Sequence, residues 1–198
     1  IYVNSIAALP DGSALVGGDC GALHHVTKGP DGKFGLGELI EGFVKVDGHT
    51  ATVNTIATLP DGSALVGGND GALYHVTKGP DGKFGLSERI EGFKNMSSEA
   101  ASMYTITALP DGSALVGGAR GALYHAAKGP DGKFGLGERI KGFVDKDGNI
   151  SAVCAVAAFS DSNALVGGFY GTLYHATKPE LSVATLKQNL DKIVSEDV

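Results

Sequence analysis

The sequence predicts an all-β protein: a β-propeller of four blades of about fifty residues, each a four-stranded antiparallel meander, with a C-terminal amphipathic α-helix. The first observation behind this is a repeat. Leu9-Pro10-Asp11-Gly12-Ser13-Ala14-Leu15-Val16-Gly17-Gly18 returns at Leu59 to Gly68 and at Leu109 to Gly118, and a worn copy stands at Phe159 to Gly168, fifty residues apart each time. A period of that length marks a solenoid, propeller or array. The second observation is the spacing of turn signals inside each period, which leaves room only for short strands. The third is the fixed phase of the glycines, which marks turns and not a flexible low-complexity chain.

The second unit serves as the template for the elements. Val53 to Leu59 alternates roughly and is rich in β-branched residues, so it reads as a first strand. Pro60-Asp61-Gly62 is a tight turn, with Pro fixing φ, Asp bonding its local backbone and Gly taking positive φ. Ser63 to Val66 is a short second strand, ended by Gly67-Gly68-Asn69-Asp70-Gly71, a hairpin turn of the Asn/Asp-Gly kind. Ala72 to Lys78 is a third strand. Gly79-Pro80-Asp81-Gly82 turns the chain again into a fourth, outer strand from Leu86 to Phe93, anchored by Ile90 and Phe93. One such sheet is too small to stand alone and must bury its faces on its neighbours.

The fourth unit departs from the pattern after Lys178, where Pro179-Glu180-Leu181-Ser182 replaces the Gly-Pro-Asp-Gly turn. The last blade is therefore expected to be incomplete. Leu186, Leu190, Ile193 and Val194 fall on one helical face with Ser182 as N-cap, which predicts a helix covering the exposed third strand or docking elsewhere. The expected organisation is a propeller over residues 1–178, in blades of about 1–50, 51–100, 101–150 and 151–178, and a helix over 179–198. Four blades could close on themselves, belong with further blades outside these residues, or form a different all-β stack. Closure would place Cys20 and Cys154 in neighbouring units, although two free thiols are the simpler reading.

The unit Ile-Ala-x-Leu-Pro-Asp-Gly-Ser-Ala-Leu-Val-Gly-Gly-x-x-Gly-Ala-Leu-Tyr-His resembles the blade repeats of WD40-like and two-component-regulator-type β-propellers over residues 1–178. The resemblance implies the fold and carries no function with it. The chain departs from WD40 repeats in having no tryptophan and no Trp-Asp ending to the third strand, which puts their buried polar network in doubt. It looks closer to the regulator style.

Composition narrows the partners. A net charge of −6 argues against a nucleic-acid surface. No apolar run approaches the roughly 20 residues of a membrane span. Ile1 begins no signal peptide, and the missing initiator Met points to a trimmed chain or a piece of a longer one.

Comparing the units within the chain locates a candidate binding face. The Pro-Asp-Gly and Gly-Pro-Asp-Gly turns are unchanged in three copies, while the turn between second and third strands reads Asp19-Cys20, Asn69-Asp70, Ala119-Arg120 and Phe169-Tyr170. The links between units, 44–52, 94–102 and 144–152, vary as well. In a meander these variable connections share one rim. The expected partner-binding residues are Asp19, Asp70, Arg120, Phe169 and Tyr170, since exposed aromatics are enriched at binding hot spots. The function expected is a non-enzymatic scaffold for a protein partner. The alternative is a lectin-like propeller binding a glycan once per blade, with Tyr74, Tyr124 and Tyr174 as stacking platforms and His24 breaking the set.

Other chemistry is thin. His25, His75, His125 and His175 share one phase but sit in separate blades, too far apart for one metal, so hydrogen-bonded structural roles are expected. Asp145-Lys146-Asp147-Gly148-Asn149 mimics part of a calcium loop, yet its glycine comes early and no bidentate Glu follows. Asn95-Met96-Ser97 and Asn149-Ile150-Ser151 match a glycosylation acceptor. No Ser-His-Asp set reads as a single site, and no cofactor or metal is expected.

Overall fold

The computed structural model describes residues 2–177 and 182–185. It contains four antiparallel four-stranded sheets, each one repeat long. Blade 1 holds β1 (Val3–Ala8), β2 (Ala14–Gly18), β3 (Leu23–Lys28) and β4 (Phe34–Leu39). Blade 2 holds β5 (Val53–Thr58), β6 (Ala64–Gly68), β7 (Leu73–Lys78) and β8 (Phe84–Arg89). Blade 3 holds β9 (Met103–Ala108), β10 (Ala114–Gly118), β11 (Leu123–Lys128) and β12 (Phe134–Arg139). Blade 4 holds β13 (Val153–Ser160), β14 (Asn163–Gly168), β15 (Leu173–Thr177) and β16 (Ser182–Thr185). Every pairing is between strands consecutive in sequence, so each sheet is a meander.

Two strand boundaries differ from the expectation for a physical reason. Gly67 and Gly68 belong to β6 and do not open the following turn. A β-carbon on Gly67 would lie 2.9 Å from Met103 Sδ and 3.0 Å from Ile106 Cδ1 of the next blade, so these glycines admit the neighbouring blade. The outer strand β8 ends at Arg89. Ile90 and Phe93 leave the sheet and drop into the core between blades, where they are 5% and 2% exposed.

The blades pack face to face. Leu9, Leu15, Leu23, Ile40 and Phe43 of blade 1 form one cluster with Ala51, Val53, Ile56, Val66, Tyr74 and Val76 of blade 2. Equivalent residues make the cores between blades 2 and 3 and between blades 3 and 4. Innermost strands stack β1 on β5, β5 on β9 and β9 on β13. Among the described residues β13 does not pack on β1, so the four blades form an open array and not the closed ring that the sequence allowed. Cys20 and Cys154 are accordingly free thiols.

The C-terminus holds a correction. Ser182, expected to cap a helix, instead opens β16, which pairs antiparallel with β15 through Ser182↔Thr177 and Thr185↔Tyr174. The last blade thus gains a short fourth strand. The outer edge of β15 presents unpaired backbone groups, and a strand satisfies them where a helix would not. The remaining residues of the expected helix, 179–181 and 186–198, lie outside the described residues. No described helix is long and apolar enough to cross a membrane.

Candidate binding rim

The turn between second and third strands is a type I′ hairpin turn. In blade 2, Ala72 N–H donates to Asn69 O at 3.0 Å, and the two residues between them, Asp70 and Gly71, have φ of 49° and 76°. The type demands positive φ at both central positions, which suits Asn, Asp and Gly. Blades 1, 3 and 4 place Cys20, Arg120 and Tyr170 there, at φ of 54°, 49° and 58°. Such residues occupy the left-handed region at a cost of roughly 1–2 kcal/mol. Backbone strain of this kind clusters at functional sites.

The links lie against these turns, which confirms that both sit on one rim. Val46 N–H donates to Asp70 O at 3.4 Å, and Met96 N–H donates to Arg120 O at 3.3 Å. Each link closes on itself through a bridge, Val44↔Thr50, Lys94↔Ala100 or Val144↔Ile150. Side-chain acceptors tighten the last two loops. Asn95 Oδ1 accepts from Ser97 N and Glu99 N, and its Nδ2 donates to Glu99 Oε2 at 3.0 Å. Asn95 is buried and its amide nitrogen is spent in the loop, so it does not stand as a glycosylation acceptor. Asp145 Oδ1 accepts from Asp147 N and Asn149 N, and Oδ2 accepts from Asn149 Nδ2. This is an Asx-type turn that uses up its carboxylate.

The predicted site residues occupy the two variable turn positions, Asp19 and Phe169 the first and Asp70, Arg120 and Tyr170 the second, and their surroundings differ. Asp19 is pinned by Asn4 Nδ2 at 3.2 Å and Tyr2 N at 3.3 Å. Asp70 pairs with Lys45 at 3.5 Å, and Arg120 with Glu99 at 3.2 Å. Phe169 and Tyr170 stack edge to face with ring centroids 6.3 Å apart, 54% and 79% exposed. The sequence reading missed their apolar company in the links and inner strands. Met96 and Ile150 flank Gly121 beside Arg120, and both are exposed, as is Tyr104. Asn4 and Asn54 each bind across to the next inner strand, at Val53 O and Met103 O, but Tyr104 and Cys154 replace them in blades 3 and 4. The turn and inner-strand positions of the rim are therefore more aromatic over blades 3 and 4 than over blades 1 and 2, while Val46 is exposed in the first link and the Arg120–Glu99 pair stands among the residues of blade 3. Comparing strand residues between units, and not turns alone, would have exposed this gradient.

The opposite rim carries a repeated polar network that was not foreseen. Ser13 Oγ donates to Asp11 Oδ1 at 2.5 Å and accepts from His25 Nε2 at 2.8 Å, and Lys78 of the next blade reaches Asp11 Oδ2 at 3.1 Å. Ser63, Asp61, His75 and Lys128 repeat it. In blade 3 Ser113 joins Asp111 and His125, whereas blade 4 substitutes Asn163 opposite His175. Asp, Ser and His thus do come together, contrary to the sequence reading. Their order is wrong for a nucleophile: the serine gives its proton to the carboxylate, and the imidazole donates to the serine oxygen where a general base would accept. Hydrogen bonds from the Ser13 hydroxyl and amide, with the Lys78 ammonium, hold Asp11 down to about 2. Burial opposes the charge on Asp61, but Lys128 and Ser63 outweigh it and keep that carboxyl far below its usual range. Burial keeps His25 and His75 neutral, pushing both below the ordinary histidine value.

The repeated tyrosines are not platforms for a sugar. Tyr74, Tyr124 and Tyr174 are 5%, 7% and 4% exposed, packed on Phe43, Phe93 and Phe143. Tyr74 and Tyr124 hydroxyls donate to Val44 O and Lys94 O of the preceding link at 3.1 and 2.9 Å, and Tyr174 to Val144 O. They tie each blade to the link before it.

No protein-family model matches the sequence, and no curated protein matches it. Solved structures do share the fold. A protein from Lactobacillus plantarum superposes with a TM-score of 0.67 at 15% identity, over 89% of this chain and 53% of that one. The extracellular domain of a protein described as a hybrid two-component system from B. thetaiotaomicron gives 0.62 at 12% identity, over 93% of this chain and 25% of that one. The chain spans about half the length of the first and a quarter of the second. At such identities the likeness is one of architecture: a propeller-like, all-β array of four-stranded blades.

Proposed function

We propose that the chain is a non-enzymatic scaffold that holds a protein partner on the aromatic half of its variable rim. The observation that carries this reading is the set of exposed side chains Phe169, Tyr170, Met96 and Ile150 on loops tied down by hydrogen bonds, with Tyr104 on the inner strand β9. Aromatic side chains on a rigid frame suit a protein interface because they lose little conformational entropy on docking, and Met adapts its shape to the partner. Exposed apolar clusters on a stable domain mark such surfaces. Asp19, Asp70 and Arg120, each already tied to a neighbour, serve as the polar border of that contact.

The test is affinity capture with the native chain, the Phe169→Ala/Tyr170→Ala double variant and a control altered on the opposite rim, Lys83→Ala. A partner retained by native and control chains and lost by the double variant, with unchanged melting temperatures, supports the reading. Capture that ignores Phe169 and Tyr170, or a large stability loss on replacing them, overturns it.

A glycan reading survives in altered form. Two clefts of about 360 and about 410 Å³ repeat at successive blade boundaries, between the Pro-Asp-Gly turns and beside Lys78 and Lys128. Saturable binding on a glycan array, abolished by Lys128→Ala and untouched by the double variant, would move the site there.

A further inference from the structure

The two ends of the array carry the unmatched halves of one interface that the chain makes three times internally. The first half is the rear face of each blade. Val53 and Ile56 of blade 2 are 0% and 8% exposed, and Met103 and Ile106 of blade 3 are 0% and 7%. In blade 1 the same positions are Val3 and Ile6, at 60% and 68%. Phe34 and Leu36 of the outer strand are uncovered too, at 62% and 70%, where Phe134 is 8%.

The second half is the front face. Leu9, Leu59 and Leu109 are 5%, 2% and 2% exposed, while Phe159 at that phase of blade 4 is 69% exposed. Leu165 and Leu173 are half-buried where their counterparts Leu65 and Leu73 are fully buried. The glycine that receives the knob shows the vacancy directly. A β-carbon on Gly17 would meet Val53 Cβ at 2.8 Å, and one on Gly67 would meet Met103 Cβ at 3.1 Å. At Gly167, among the described residues, nothing of another blade lies within 4 Å; the nearest atom is Ala155 Cβ of its own blade, at 3.9 Å.

Charge follows the same register. Lys78 of blade 2 binds Asp11 of blade 1, and Lys128 of blade 3 binds Asp61 of blade 2. Lys28 holds the lysine position at one free end, whereas Asp161 at the other accepts from Asp111 N–H of blade 3 at 2.7 Å.

We propose that a second copy of this chain docks head to tail, placing the Val3/Ile6 face of one copy on the Phe159/Gly167 face of the other. The contact is continuous with the internal blade stacking and uses the same knob and the same glycine hole. It is a heterologous contact, which closes into a ring when its rotation permits and otherwise extends. Two four-blade arrays make eight blades, within the range of known propellers. At the internal junctions the rim turn borders the next blade, with Gly71 N–H donating to Ala101 O at 2.8 Å, so Phe169 and Tyr170 lie at the margin of the proposed contact, and the Ile6 and Gly167 variants test it without altering them.

Light scattering after size exclusion tests it on the purified chain, with Ile6→Asp and Gly167→Leu as single variants. The native chain is expected at twice its 20.1 kDa or in larger multiples. Each variant alone is expected at 20.1 kDa. Mixed, they restore a one-to-one pair, because each keeps the face that the other has lost. Ile6 is exposed and Gly167 has room for a side chain, so neither change disturbs the single array, and circular dichroism checks this. If Ile6→Asp fails to fold, Val3→Asp takes its place in the mixture. A native chain that stays at 20.1 kDa up to its solubility limit overturns the proposal, and so do folded variants that still associate alone or fail to associate when mixed.

Discussion

A β-carbon placed on Gly117 would lie 2.9 Å from Val153 Cβ, closer than side-chain carbons ever approach. The glycine in β10 is thus the socket for the next blade, and the fixed spacing of the repeat sets a hydrophobic knob opposite each such socket. Replacing Gly117 by Val is expected to cost about 1–3 kcal/mol through overpacking, read as a lower midpoint in chemical denaturation. Gly167→Val in a dilute sample is expected to cost nothing and to gain a few tenths of a kcal/mol, since a strand glycine is entropically costly and this one has open space. Equal losses at both positions would mean that the socket model is wrong.

The strands and turns were legible in the sequence because their chemistry is local: Asp-Gly turns and β-branched runs act within a few residues. Closure was not legible, because Val3 and Val53 have similar neighbours in sequence and differ only in whether a blade stands behind them. Ser182 was misread for a related reason. Its segment fits a helical face, yet the open edge of β15 favours a strand, and that edge exists only in three dimensions. Turn variation in the sequence marks the variable rim, but it does not single out Tyr104 and Met96, whose neighbours across the rim come from other strands and links. The Asp11, Ser13 and His25 network was available in principle. All three recur at fixed phases, and the β2–β3 register that pairs Leu15 with His25 brings them together.

Removing the hub of that network separates the two copies by burial. Ser63→Ala leaves the buried His75 without the acceptor for its Nε2–H and Asp61 without its closest donor. A loss of about 1–3 kcal/mol is expected. Ser13→Ala is expected to cost less, because His25 is only half-buried and water can replace the lost partner. Denaturation of both variants in parallel checks the order.

Acid should weaken the fold in two stages. His25 and His75 have folded values below 6.5, so the unfolded chain binds their protons first. Their contribution is complete above 6.5 and is lost as pH falls through the depressed folded values. Asp11 and Asp61 are also depressed, so their contribution is complete above 3.8 and is lost below it, toward about 2 for Asp11. Stability measured against pH is expected to be level above 6.5, to decline below it and to fall again under 3.8. His75→Gln should reduce the first decline to the share of His25 and leave the second. A first decline of native size in that variant would assign it to another group.

Tyr170 offers the most direct link between strain and recognition. Its φ of 58° and ψ of 33° put a bulky ring in a conformation that Asn adopts several times more readily. The ring is 79% exposed and its contact with Phe169 is edge to face, so packing returns little of the conformational cost. Tyr170→Asn is therefore expected to raise stability by roughly 0.5–1 kcal/mol through relief of the left-handed strain. The same change should lower the affinity for a rim-bound protein at least tenfold, as the loss of a hot-spot aromatic does. Opposite signs for folding and binding at one residue would separate a functional role from a structural one. If Tyr170→Asn instead destabilised the chain and left capture unchanged, Tyr170 would be a packing residue of blade 4, and the partner would have to be sought away from this turn.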